Sequence, residues 1–175
     1  MAADADASME IIYKPIGWVR TPYKDAAPYQ PRDVPGKEFY LELFPEYVDG
    51  LDELESFRYI YVLFHMHKRR KESLKAHPPW GKAKEVGVFA SRSPHRPNAI
   101  GLSIVRLISI EGNIINISGI DAFDKSPLLD IKPYIAELDS KEDANYGWVD
   151  KYDGRDHLRL HILGIPHKHD ADEER

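Results

Sequence analysis

The chain has 175 residues, a formal net charge of −5 and a hydrophobic content of 42%, which fits one globular domain with a substantial core. It contains no cysteine, so disulfides, a thiol nucleophile and cysteine-ligated metal are excluded. No apolar run approaches the length of a membrane span, and the small, acidic residues at 1–10 do not resemble a secretory signal. We therefore expect a cytoplasmic protein.

Charge is unevenly distributed along the chain. Between Lys68 and Arg96, nine Lys or Arg residues face only Glu72 and Glu85, which leaves a local balance of +7. A concentrated basic stretch can steer a polyanion towards an acidic protein. A solvated charged loop would explain the same pattern equally well, so charge alone leaves both hypotheses open.

Seven segments show the alternating or β-branched pattern of strands. In chain order they are Ile11–Val19, Phe39–Phe44, Phe57–His67, Val86–Ala90, Ile100–Ile110, Asn113–Ile120 and Leu128–Ile135. The third is apolar on both faces in its middle, which predicts a central strand. Between the second and third, Leu51–Ser56 suits a single helical turn.

The order of these segments predicts the fold class. There is no alternation of strands and helices, no GxGxxG turn and no Walker loop, which argues against a nucleotide-binding α/β fold. Short strands at this spacing predict an all-β fold, a small, mostly antiparallel β-barrel or a sandwich, with short helical insertions. We expect a disordered segment at 1–10, a barrel domain at 11–136 and a C-terminal appendage with a charged tail at 137–175.

Two proline-stiffened loops carry most of the groups that could do chemistry. Proline fixes the backbone and removes a donor, so such loops have already lost much of the entropy that ligand binding would cost. We therefore expect the two loops to meet at one mouth of the barrel and to hold a ligand there. The first loop, Val86–Asn98, offers Ser91, Arg92, Ser93, His95, Arg96 and Asn98. The second, Ile120–Tyr134, offers Asp121, Asp124, Lys125, Asp130, Lys132 and Tyr134.

The basic residues of the first loop allow two interpretations. Arg92 and Arg96 could form a fork around a carboxylate or phosphate. They could instead pair internally with acidic residues of the second loop, which would fix the loops to each other. The candidates for that pairing are Asp121, Asp124 and Asp130.

Histidines raise the alternative of a metal site. His65 and His67 lie two apart at the end of the predicted central strand and therefore point to the same side, with Asp121 or Asp124 as a third ligand. Lys68 opposes this, because an ammonium beside a dication is unfavourable. A second histidine-rich tract fits either a metal site or a mobile polar tail, and consists of His157, His161, His167 and His169.

Four motifs resemble those of the TrmO/TsaA-like family of tRNA methyltransferases, and the similarity runs from about Ile16 to Ile135. They are IGWVRTPY, LESFRYIYVLFHMHK, GVFASRSPHRPNAIGLS and IDAFDKSPLLDIKPY. The resemblance implies an S-adenosylmethionine-dependent enzyme built on a small β-barrel, and a homodimer. It also implies methylation of N6 of the threonylcarbamoyl-modified adenosine beside the tRNA anticodon.

Carried over by position, the resemblance places cofactor contacts on Pro31, Arg32, Asp33, His67, Lys68, Arg92, Leu102, Asp121, Ala122, Phe123 and Asp124. Family members often carry glutamine where this chain has Asp33 and Lys68. The cofactor carboxylate would pair with a cation and its ammonium with a carboxylate, and its adenine would occupy an apolar slot.

The acceptor nitrogen of the implied substrate bears a carbonyl group, so a base that takes its proton would help. Three residues are candidates for this base, and the sequence does not choose among them: Asp121, Asp124 and Tyr134. Contacts to the tRNA anticodon stem-loop are expected from Arg69, Arg70, Lys71, Ser93, Arg96, Asn98 and Lys132.

Two other functions compete with the methyltransferase. One is a metal-dependent hydrolase that uses His65, His67 and an aspartate. The other is a non-catalytic RNA-binding barrel whose working surface is the basic stretch.

Overall fold

The computed structural model describes residues 10–79, 85–152 and 154–165. It has eight strands and little helix within these ranges. The strands are β1 (Gly17–Arg20), β2 (Tyr40–Leu43), β3 (Tyr59–His65), β4 (Lys75–Ala76), β5 (Val86–Gly87), β6 (Ile100–Glu111), β7 (Ile114–Ile117) and β8 (Ser126–Pro133). The α-helices are α1 (Ala136–Asp139) and α2 (Gly154–Leu163), and 3₁₀ segments span Pro45–Leu51, Leu54–Ser56, Val88–Ala90 and Gly147–Tyr152.

Six of the strands form one closed barrel in the order β1-β2-β7-β6-β3-β8, in which β1 pairs with both β2 and β8. Every pairing is antiparallel, and β4 and β5 form a separate two-stranded sheet. The predicted all-β, mostly antiparallel class is therefore confirmed. The predicted central strand lies in β3, which is paired along both sides.

The core fills the barrel because strand side chains alternate in direction. On β3, Ile60, Val62 and Phe64 point inwards and are buried, whereas Tyr61 and Leu63 between them lie on the outer face and are half-buried. The other strands add inward residues of the same kind. These are Val19, Leu41, Leu43, Val105, Ile115, Ile117 and Leu128.

Several element boundaries differ from the sequence prediction. Only the end of Ile11–Val19 is strand, and Ile12 before it is 80% exposed. The predicted strand Val86–Ala90 is extended only to Gly87 and then turns as a 3₁₀ helix. Strand β4 was not predicted because it lies in the basic stretch, where charged side chains hide the pattern. Residues 1–9, His167 and His169 lie outside the described residues.

The antiparallel order gathers long connections at one end of the barrel, which we call the loop end. His65 at the end of β3 pairs with Ile100 at the start of β6, and β8 begins beside it at Ser126. The connections 21–39, 66–99 and 118–125 all emerge there. Tyr59 marks the opposite end, about 20 Å away along β3. No helix in the described part of the chain could cross a membrane.

We expect Ile60→Ala to lower the free energy of unfolding by about 2–5 kcal/mol, because it leaves a cavity in a core position with no exposed surface. Ile12→Ala is the matched control and should change it by less than about 0.5 kcal/mol. Urea unfolding of both variants checks this, and equal losses would contradict the assigned core.

Candidate functional site

The segment 118–125 crosses the loop end between β7 and β8, and its start is clamped by the chain at 32–33. A Cβ on Gly119 would lie 1.6 Å from the carbonyl oxygen of Arg32, so only glycine permits this approach. The Gly119 amide donates to Oδ1 of Asp33 at 2.7 Å, and Oδ2 of Asp33 lies 3.9 Å from Nη2 of Arg106. Asp33 is therefore occupied in holding the segment in place.

The other half of the segment is fixed by the chain that follows β1. The Thr21 hydroxyl donates to the Ala122 carbonyl at 3.0 Å, and the Asp124 amide donates to the Tyr23 carbonyl at 2.8 Å. Lys125 then adopts a left-handed φ of 60° as its amide bonds to Val19. Backbone hydrogen bonds therefore set the direction of residues 121–124.

Asp121 points towards the barrel wall. Its Oδ1 accepts a hydrogen bond of 2.6 Å from the hydroxyl of Ser103, a buried residue on the inner face of β6. Burial raises the pKa of Asp121 above its ordinary value, while the Ser103 hydrogen bond and the positive charge of Arg92 act in the opposite direction without cancelling it. Asp121 is thus a carboxyl group tuned towards accepting a proton.

Asp124 has a different environment. Its Oδ1 accepts a hydrogen bond of 3.3 Å from the Thr21 amide and lies 3.7 Å from Nε of Arg20. One of its two carboxylate oxygens is therefore already engaged within the protein. An open cavity of about 370 Å³ adjoins it, with Arg20, Thr21, Lys37 and Tyr40 among the lining residues. The two aspartates that the sequence treated alike are distinguished by these contacts.

The first loop is organised around Arg96. Its Nη1 donates to the carbonyls of Ser91 at 2.7 Å, Val88 at 3.2 Å and Ser93 at 3.5 Å. Arg69 in turn donates from Nη1 to the carbonyls of Arg96 and Pro97. The guanidinium of Arg96 therefore braces the loop from within, a role that neither sequence interpretation predicted.

This leaves Arg92 as the exposed cation of the loop on the side of Asp121. Arg70, Lys71 and Asn98 are also exposed, while Ser93 is half-buried and accepts the His95 amide at 3.3 Å. The predicted substrate contacts thus divide into braces, Arg69 and Arg96, and outward groups.

His67 and Lys68 close the site from the end of β3. Nδ1 of His67 lies 3.2 Å from the hydroxyl of buried Ser126, and burial followed by the charge of Lys68 lowers the pKa of His67. Nζ of Lys68 donates to the Lys24 carbonyl and lies 5.0 Å from the centre of the Phe123 ring. Within the described residues no three His, Asp or Glu side chains form a group able to hold a metal ion, so the hydrolase hypothesis lacks its third ligand.

Three predicted site residues lie outside the connections that form the loop end. The ring of Tyr134 packs 5.6 Å from that of Tyr61 at the end opposite the loop end, and nearby Lys132 pairs with Asp130 at 2.7 Å. Within one chain, Tyr134 therefore lies apart from Asp121 and Asp124, the two other candidates for the base. Leu102 is 57% exposed on the outer face of β6.

Sequence reasoning missed Ser103 and Thr21. Ser103 follows Gly101 and precedes Val105 on the inner face of β6, so a hydroxyl appears where the strand pattern demands an apolar side chain. A polar residue at an inward position was the available signal, since buried hydroxyls require a partner. Thr21 offered no comparable signal, because it lies just beyond a strand end.

Comparison with known proteins places this geometry in a family. The protein-family model described as the tRNA-methyltransferase O N-terminal domain matches residues 18–140 of the sequence. The chain belongs to this family. A probable S-adenosyl-L-methionine-binding protein of Pyrococcus abyssi is 41% identical over 148 residues, which cover 81% of this chain and 77% of that protein.

Two further relatives are longer than this chain. The human tRNA (adenine(37)-N6)-methyltransferase is 39% identical over 142 residues, which cover 77% of this chain and 32% of that protein. The crystal structure of TrmO from Pseudomonas aeruginosa aligns with a TM-score of 0.66 at 38% identity, covering 79% of this chain and 62% of that one.

We expect Ser103→Ala to raise the pKa of Asp121 further, because it removes a hydrogen bond that favours the ionised carboxylate. Carbon-13 NMR titration of the Asp121 carboxyl measures this directly. Ser109→Ala, near the far end of the same strand, is the matched control and should leave the pKa of Asp121 unchanged. An unchanged or lowered value in Ser103→Ala would contradict the assigned hydrogen bond.

Proposed function

We propose that this domain transfers a methyl group from S-adenosylmethionine to N6 of threonylcarbamoyladenosine beside the anticodon of tRNA. The observation that carries the proposal is the pairing of Asp121 and Ser103 next to the exposed Arg92, in a chain of the tRNA-methyltransferase O family. We infer a cytoplasmic location from the substrate. The named relatives support the cofactor and the base that is modified.

The donor set at the loop end fits the cofactor. Arg92 supplies a cation for a carboxylate, Asp124 an anion for an ammonium group, and half-buried Phe123 an apolar surface for an adenine ring. Arg32 and Asp33 contact the start of the same segment at Gly119, and Lys68 lies over the ring of Phe123. Pro31, His67 and Lys68 complete the cofactor contacts that the resemblance implies. When bound, S-adenosylmethionine supplies an electrophilic methyl group on a sulfonium leaving group.

Asp121 is the base that the geometry favours. The acceptor nitrogen carries a carbonyl substituent, so it becomes an effective nucleophile only as its proton leaves. The Asp121 carboxylate accepts that proton while the new nitrogen–carbon bond forms. Both aspartates have Oδ1 engaged within the protein, that of Asp121 by Ser103 and that of Asp124 by Thr21 and Arg20. Asp121 is distinguished by its raised pKa, which makes it the better proton acceptor.

Phosphate contacts belong to the outward groups of the basic stretch. Arg70, Lys71 and Asn98 are exposed and flank the braced loop. They therefore lie at the loop end of the barrel. Lys132 lies beyond this surface at the opposite end of the barrel. Binding through such phosphate contacts weakens as salt rises.

The outer face of β6 supports the proposed homodimer. Ile100, Leu102, Ile104 and Ile108 all point outwards and are 40–58% exposed, so they form an apolar stripe along the strand, which the exposed Arg106 interrupts between Ile104 and Ile108. A monomer rarely leaves such a stripe open to water. A second copy of the chain placed on this stripe would bury it by two-fold symmetry and would give Leu102 a route to the neighbouring site.

The catalytic claim is tested by mass spectrometry of nucleosides from tRNA incubated with labelled cofactor. We expect Asp121→Asn to lower kcat by about 10²-fold or more, because the base is lost. The wild-type rate should rise as pH increases through the raised pKa of Asp121, and this dependence should vanish in the variant.

Asp52→Asn changes an exposed aspartate remote from the loop end and is the matched control. Full activity of Asp121→Asn would exclude the assigned base. A wild-type protein that binds tRNA but shows no calorimetric binding of S-adenosylmethionine would instead favour the non-catalytic RNA-binding barrel.

We expect Ile104→Asp to convert the dimer to a monomer, because it places a charge in the middle of the apolar stripe. Sedimentation velocity measures the mass. Ile12→Asp introduces the same change at an exposed site outside the stripe and should remain dimeric. A monomeric wild-type protein at micromolar concentration would refute the proposed interface.

A further inference from the structure

The side chain of Phe89 is 75% exposed, although each of the other five phenylalanines is buried or half-buried. Burying a phenylalanine side chain contributes about 1.5–3 kcal/mol, so leaving one in water forgoes a substantial stabilisation. Phe89 is the middle residue of the 3₁₀ turn Val88–Ala90, at the start of the first loop. Its neighbour Val88 is buried, so the turn itself is anchored in the fold.

The backbone beneath Phe89 is held by hydrogen bonds from several directions. The Val88 amide donates to the Leu74 carbonyl at 2.9 Å, and the Val88 carbonyl accepts from the Ser91 hydroxyl at 2.9 Å and from Arg96 at 3.2 Å. On the other side, Nε1 of Trp148 donates to the Ala90 carbonyl at 2.8 Å. The ring is therefore presented to solvent on a fixed support, which limits the entropy lost when it binds a partner.

The surroundings of the ring are cationic. The guanidinium carbon of Arg96 lies 5.9 Å from the ring centre, and Arg92 is exposed three positions further along the chain. An apolar protein partner would not be favoured by this charge, whereas a nucleobase with its phosphate would be. Exposed aromatic rings beside arginines are the usual means by which proteins hold unstacked RNA bases.

We propose that the ring of Phe89 stacks on an unpaired base of the tRNA substrate. The proposal rests on the proposed function, since it places this contact beside the site that carries Arg92 and Asp121. Phe89 acts as a binding platform: it orients the RNA and takes no part in the chemistry. Stacking requires an aromatic face, so the effect of a substitution should depend on ring character and not on apolar volume.

The test measures binding of an anticodon stem-loop RNA by fluorescence anisotropy, together with its KM in methyl transfer. We expect Phe89→Ala to weaken binding at least about fivefold and to raise KM by a similar factor. Phe89→Trp should retain affinity, and Phe89→Leu should resemble the alanine variant. Calorimetric binding of S-adenosylmethionine should be unchanged in all three.

Two further variants separate stacking from charge. Joint replacement of Arg70 and Lys71 by Ala should reduce the dependence of binding on salt, because it removes phosphate contacts. Phe89→Ala should lower affinity without changing that dependence. Tyr13→Ala, another exposed aromatic residue, is the matched control and should bind as wild type.

Wild-type affinity in Phe89→Ala, or in Phe89→Leu, would overturn the proposal. A change of oligomeric mass in Phe89→Ala would also overturn it, because the ring would then contact a second copy of the chain. If the wild-type protein binds the RNA but transfers no methyl group, the proposed function fails. The role of Phe89 is then still decided by comparing the RNA affinity of the wild type with that of the Phe89 variants.

Discussion

The hydrogen bond between Ser103 and Asp121 links the barrel wall to the segment that carries the site. Ser103 is fixed by β6, and the segment is fixed by the close approach of Gly119 to Arg32 on one side and by Thr21 on the other. Because these constraints meet at Asp121, its carboxyl group is held in place and partly removed from water. Its raised pKa follows from this position and from no feature of the residue itself.

The basic stretch illustrates how charge can serve structure before it serves binding. Arg69 and Arg96 direct guanidinium nitrogens at backbone carbonyls, and these bonds hold a loop that has little regular secondary structure. A planar group with five donors suits this role better than an ammonium group. The loop thereby gains a rigid frame, on which Arg92 and Phe89 face outwards. Rigid presentation of a few groups favours recognition more than a large number of mobile charges would.

Sequence patterns predicted much of the fold and part of the site. The β-branched and aromatic residues of β3 identified it as a central strand, and it is paired along both sides. The first loop and residues 120–125 lie at one end of the barrel, whereas Ser126–Pro133 of the predicted second loop form β8. The strand predicted at Val86–Ala90 ends at Gly87, because hydrogen bonds from the side chains of Ser91 and Arg96 to the Val88 carbonyl favour a turn there. Tyr134 lies away from the two aspartates for a different reason, since strand direction determines which end of the barrel a residue reaches. Neither hydrogen-bond partners nor strand order can be inferred from residue spacing alone.

The central claim is that the methyl donor binds at the loop end, against the segment that contains Asp121. Amide chemical shifts measured by NMR during titration with S-adenosylmethionine test this most directly, because they report on every strand and loop at once. The account predicts that the largest shifts fall at Gly119, Asp121 and Arg92, with little change at Gly112 beyond the other end of the barrel. Shifts confined to the region of Tyr134, or no shifts at saturating cofactor, would contradict it.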